Sequence, residues 1–81
     1  MIINKDDLKY AIAEEAKKFK GIIDRCRDAA REGGEEEKKQ FETANRTYSR
    51  KIALLKVLSQ NLKMLTLEQA ETDFENIRYS A

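Results

Sequence analysis

Proline, histidine and tryptophan are all missing from this chain, and cysteine occurs once, as Cys26. Each absence closes a class of function. Without histidine, neither a Ser-His nor a Cys-His nucleophile can be assembled. A lone thiol allows no disulfide within the chain, and with no imidazole beside it there is no zinc-type ligand set. Three glycines and no proline leave few positions for turns, which favours long helices over sheets. No apolar run approaches the roughly 18 residues that a membrane-spanning helix requires. The opening stretch "MIINKDDLKY" has neither the positive start nor the apolar run of a signal peptide, so no leader is expected. A single reduced cysteine suits a cytoplasmic setting.

What remains is 41% hydrophobic and 38% charged, too apolar for a disordered chain and too polar for a membrane one. Eighty-one residues make one helical domain, 1–81. A core from so short a chain rarely supplies more than about 3–5 kcal/mol, so small scaffolds add staples or partners. With disulfide and metal both excluded, self-association is the device left, and a homo-oligomer is expected. No cofactor is expected.

Apolar residues at Leu8, Ile12, Ala16, Phe19, Ile22, Ile23, Cys26, Ala29 and Ala30 step by threes and fours along one helical stripe. Asn4 or Asp6 can cap its start, and Gly33-Gly34 offers the left-handed backbone that ends a helix. The first helix is therefore expected over about 6–32. Glu35, Glu36 and Glu37 follow, and at a helix start they oppose the dipole, which reads them as structural rather than as an acid–base or cation site. A second stripe, Phe41, Ala44, Tyr48, Ile52, Leu55, Leu58, Leu62 and Leu65, predicts an antiparallel helix over about 35–65. A short turn at 33–34 pairs residues whose numbers sum to about 67. Phe19 then meets Tyr48, Ile12 meets Leu55 and Cys26 meets Phe41, which reads Cys26 as a core residue rather than a reactive thiol. Glu15 and Lys51 fall in the seam, which departs from an ideal coiled coil.

Thr66 and Gln69 have capping-box spacing, so a short third helix is expected over about 67–79, presenting Leu67, Ala70, Phe74 and Ile77. A single helix running through to residue 79 is the alternative. The second helix also carries a row, Leu54, Val57 and Met64, that the hairpin seam cannot cover. Either the third helix covers it or another subunit does. Leu54, Val57, Met64, Leu67, Phe74 and Ile77 are thus the candidate oligomer or third-helix interface.

Net charge is only +1, but it is blocked: −2 over 1–16, +4 over 17–31, −3 over 32–42, +5 over 43–63 and −3 over 64–81. The hairpin register sets the two positive blocks side by side. There the stretch "NRTYSRK", residues 45–51, gathers weak helix formers and three positive charges with no acid. Gly21, level with Arg46, costs about 1 kcal/mol in a helix interior and often marks a close backbone approach. Several local rules break at one level of the hairpin, which is where a functional site is expected. Lys17, Lys20, Gly21, Arg46, Ser49, Arg50 and Lys51 are the candidate partner- or anion-binding residues. Two readings are open: a solvated face balanced by the acidic third helix, or a receiver for a phosphate-bearing ligand such as a nucleotide or nucleic-acid backbone. The leading expectation is a non-catalytic helical interaction protein, an adaptor, inhibitor or assembly module with a protein partner, of the small kind common among bacterial and phage accessory proteins. An anion-binding module is the alternative.

Overall fold

The computed structural model describes residues 2–80, which form a long helical hairpin with a third helix folded back along half of it. Helix α1 spans Lys5–Glu32, α2 spans Glu35–Gln60, a 3-10 turn covers Leu62–Met64, and α3 spans Leu67–Tyr79. The molecule measures 46 × 19 × 18 Å, so its long dimension is essentially the length of α1.

Local chemistry explains each helix start. Asn4 caps α1: its Oδ1 accepts from the Asp7 N–H at 2.9 Å, and the Asp7 carboxylate accepts from the Asn4 N–H at 3.3 Å. Thr66 and Gln69 make the same reciprocal pair at α3, at 3.1 and 3.0 Å, so the capping-box spacing does mark the start of a separate third helix. Gly34 has no side chain to offer. There the Glu37 carboxylate alone acts, accepting from the Gly34 N–H at 2.9 Å. Glu35, Glu36 and Glu37 occupy the first turn of α2, where they oppose its dipole.

Two expectations about breaks are corrected. The left-handed backbone expected at Gly33-Gly34 is absent: Gly33 sits at φ −97°, ψ −178° and Gly34 at φ −94°, ψ −155°, both extended. Glycine is needed at 33 for room instead. A Cβ there would lie 2.7 Å from the Glu37 Cβ and 2.8 Å from the Ala29 carbonyl oxygen, and backbone cannot yield cheaply. The second helix also stops at Gln60, five residues before the expected end at 65. The Asn61 N–H is shared between the carbonyls of Val57 and Leu58, both at 3.1 Å, which tightens the chain into the 3-10 turn. That turn swings Leu62 inward, where it is buried, and Leu65 then runs extended into the α3 cap. Tertiary burial overrides the helical period here.

Leu8, Ile12 and Phe19 of α1, Leu55 and Leu58 of α2, Leu62, and Ala70 and Phe74 of α3 form one buried cluster. Phe19 and Tyr48 meet as the register predicts, with ring centroids 5.1 Å apart. The cluster belongs to the three-helix half. Past Ile23 the hairpin has only two layers, so Cys26 is half-buried outside the cluster and Ala29 is exposed, contrary to the seam expected of them. At this tip the Arg27 guanidinium lies 5.7 Å from the Phe41 ring centroid and shields it from one side. Among the described residues no helix is long and apolar enough to cross a membrane.

Candidate interaction site

Lys51 is the sole charged residue of the described chain that is buried, at 8% exposed. Its position in the seam follows from the third helix. The last carbonyls of a helix have no intrahelical partner and carry the negative end of its dipole. The Lys51 ammonium donates to one of them, the Arg78 carbonyl of α3, at 3.1 Å. It also lies 5.5 Å from the Phe19 ring centroid and 5.8 Å from that of Tyr48, so aromatic faces replace part of its water.

Arg78 closes the same contact from the other side. Its Nε stands 3.6 Å from Glu15 Oε2 on α1, and Glu15 is only 13% exposed. That separation is too long for a hydrogen bond, so the Nε proton is buried without an acceptor while the charge remains paired. The guanidinium carbon sits 5.2 Å from the Phe74 ring centroid. Glu15, Lys51 and Arg78 thus fasten one helix each. The two seam charges that look like coiled-coil defects in the sequence are the attachment of α3. Arg78 was not among the expected site residues, although it is the single base in the acidic block 64–81.

The remaining candidates do not converge as the register suggested. On a period of about 3.6 residues, Lys17 and Gly21 fall on the side of α1 opposite Ile12 and Phe19, and Lys20 falls on the flank away from Glu15. A Cβ at Gly21 would meet nothing within 4 Å, so no backbone or partner helix approaches it. Ser49 is exposed and donates to Asn45 Oδ1 at 3.1 Å along the helix surface. Arg46 and Arg50 stay together. With Thr47, Lys51, Leu54 and Ser80 they line a crevice of about 140 Å³ beside the C-terminal end of α3. Neither arginine forms an ion pair among the described residues.

A larger apolar groove of about 640 Å³ between α2 and α3 shares Leu54 with that crevice. Leu54, Val57, Leu58, Met64, Leu65 and Ile77 line it, together with the polar Asn61, Asp73 and Asn76. The third helix packs on its own hairpin, burying Ala70 and Phe74 and half-burying Leu67 and Ile77. It leaves the surplus row of α2 open: Leu54 is 45% exposed, Val57 52% and Met64 84%. Scattered exposed apolar side chains need no explanation, but these are contiguous and concave.

The chain matches no family model, and no curated protein or solved structure is detectably similar to it.

Proposed function

We propose that this chain is a non-catalytic helical interaction protein, an adaptor, inhibitor or assembly module that works by self-association and by presenting a surface to a protein partner. One observation carries the reading: the apolar groove between α2 and α3 stays open after the third helix has been used to complete the core. A hydrophobic strip on a small scaffold gains most when a second helical surface covers it. The cytoplasmic setting expected from the single cysteine accompanies this reading.

Sedimentation velocity over micromolar to millimolar concentration tests it, comparing the parent with Val57→Glu. Val57 is exposed and Glu is the better helix former, so the variant should keep its fold. The parent is expected to associate and Val57→Glu to remain monomeric with unchanged helicity. A parent that is monomeric throughout the range would sink the proposal.

A second reading, binding of a phosphate-bearing ligand, rests on Arg46 and Arg50, which line one crevice and lack carboxylate partners among the described residues. It draws no support from Lys51, whose ammonium is held by the Arg78 carbonyl, or from Lys17 and Lys20. Thermal shift with nucleotides and single-stranded oligonucleotides decides it: a phosphate contact raises apparent stability at low salt and loses that effect as salt rises. No shift at low salt would remove it.

A further inference from the structure

We infer that the cavity between the start of α1 and the end of α2, lined by Lys5, Lys9 and Lys63, binds a small polyphosphate, free or carried on a nucleoside. The site shares no residue with the α2–α3 groove or with the Arg46–Arg50 crevice, and it stands or falls independently of both.

The fold assembles this site from segments that the sequence keeps apart. Lys5 and Lys9 stand one turn apart within the acidic block 1–16, and Lys63 closes the basic block 43–63. The hairpin sets the first turns of α1 beside the end of α2, and the 3-10 turn that buries Leu62 carries Lys63 to the same place. With Asp6, Ser59, Gln60 and Leu62, the three lysines line a cavity of about 510 Å³. Like charges four apart on a helix repel, and a third from another element adds to the repulsion. Nothing in the chain relieves it. Among the described residues Lys5, Lys9, Lys63 and Asp6 form no ion pair, while Asp7 is taken by the α1 cap and Glu15 by Arg78. Three ammoniums against one carboxylate leave an excess of positive charge in a concavity, which a ligand with two or more negative charges balances. Ammoniums suit phosphate oxygens as point charges, and Ser59 and Gln60 bring neutral donors to the lining. Size agrees with this class: small-molecule sites occupy about 300–1,000 Å³, a range that the arginine crevice, at about 140 Å³, does not reach. The competing use of these lysines is structural. The last turn of α2 has no basic residue of its own, so nearby cations could serve its dipole.

Titration calorimetry of the full chain at low salt tests this, with inorganic tripolyphosphate and adenosine triphosphate as the two probes. Four proteins are compared: the parent, Lys9→Gln with Lys63→Gln, Asp6→Asn, and Arg46→Gln with Arg50→Gln. The parent is expected to bind, with an affinity that falls as salt rises. Removing both lysines should weaken binding about tenfold, and Asp6→Asn should tighten it about threefold, since each exposed charge contact is worth up to about fivefold. The arginine variant should bind as the parent does. Equal affinities for the two probes would mark the free polyphosphate as the ligand, and tighter binding of adenosine triphosphate the nucleoside-borne one. Lys9 and Lys63 are exposed and crowded by like charge, so their double variant, without ligand, should melt at or above the parent's temperature. If it melts well below, the lysines serve the fold, and Asp6→Asn decides: unchanged affinity there would overturn the site. Binding of neither probe at millimolar concentration would overturn it outright. So would binding that the arginine variant loses and the lysine variant keeps.

Discussion

Lys51 and Arg78 are 27 residues apart, yet the Lys51 ammonium donates to the Arg78 backbone carbonyl at 3.1 Å. A charge in a hairpin seam is costly unless it is paired and hydrogen-bonded. Here it ties the middle of the second helix to the end of the third. The seam gives up one apolar side chain, and α3 gains a cation at the negative end of its dipole.

Replacing Lys51 separates the parts of this contact. Lys51→Met keeps most of the stem between Phe19 and Tyr48 but removes a charged hydrogen bond, and should cost about 1.5–3 kcal/mol. Lys51→Ala also removes the packed stem and should cost more. Lys51→Glu sets a carboxylate beside the α3 carbonyls and should be the worst of the three, undocking α3. Urea titrations followed by far-ultraviolet circular dichroism give the order. A Lys51→Met protein as stable as the parent would mean that the stem, and not the ammonium, holds α3.

Much of the fold was legible because the cues were local. Two stripes with a short turn fix the pairing of Phe19 with Tyr48, and the Thr66–Gln69 box marks the start of α3. What the sequence concealed depends on where α3 lands. Leu62 continues the stripe of α2, and only the burial open to it in the 3-10 turn ends that helix at Gln60. Glu15 and Lys51 read as defects until Arg78 arrives between them. The hairpin register gives only the level of each base along the molecule. Level does not fix the face, so Lys17 and Lys20 point away while Arg46 and Arg50 share a crevice. The surplus row of Leu54, Val57 and Met64 was readable because exposed apolar periodicity needs no tertiary information.

The three glycines should respond differently to alanine. Gly21→Ala adds a methyl to open space and removes a flexible residue from a helix interior, a gain of about 1 kcal/mol. Gly34→Ala is close to neutral, because its Cβ would come no nearer than 3.8 Å to the Glu37 carboxylate and the backbone there is extended. Gly33→Ala must displace the Ala29 carbonyl or the Glu37 stem and should cost about 1–3 kcal/mol. Thermal melts of the three variants check this. Gly21→Ala falling below the parent would reveal a neighbour at that face.

Stability should also be graded along the hairpin. The tip, from Cys26 through the turn to Phe41, lacks the third layer and contributes no residue to the main buried cluster. Its amides are expected to exchange with solvent by local opening, faster than those around Ile12, Phe19 and Leu55. Phe41→Ala should cost on the order of 1 kcal/mol, against about 3–5 for the buried Phe74→Ala. Hydrogen exchange that is uniform along α1 would contradict this grading and imply that something covers the tip.

The stretch from Asn45 to Lys51 divides by face. Tyr48 and Lys51 point inward and hold the fold, so Tyr48→Ala should cost about 3–4 kcal/mol through loss of its contact with Phe19. Asn45 and Ser49 are exposed, and among the described residues their side chains bond only to each other, while Thr47 is half-buried and lines the arginine crevice. All three are weaker helix formers than alanine by several tenths of a kcal/mol. The loss of the exposed Ser49–Asn45 bond subtracts a few tenths. Changing Asn45, Thr47 and Ser49 together to alanine should therefore raise stability by about 0.5–1 kcal/mol, a rise of a few degrees in Tm for a chain of this size. None of the three lines the α2–α3 groove, so self-association should persist in the stabilised variant. If the crevice receives a phosphate through Thr47 and the arginines, the same variant should be more stable yet give a smaller thermal shift with nucleotides. A triple variant less stable than the parent would show that the Thr47 hydroxyl or methyl makes a contact worth more than the helix propensity it costs.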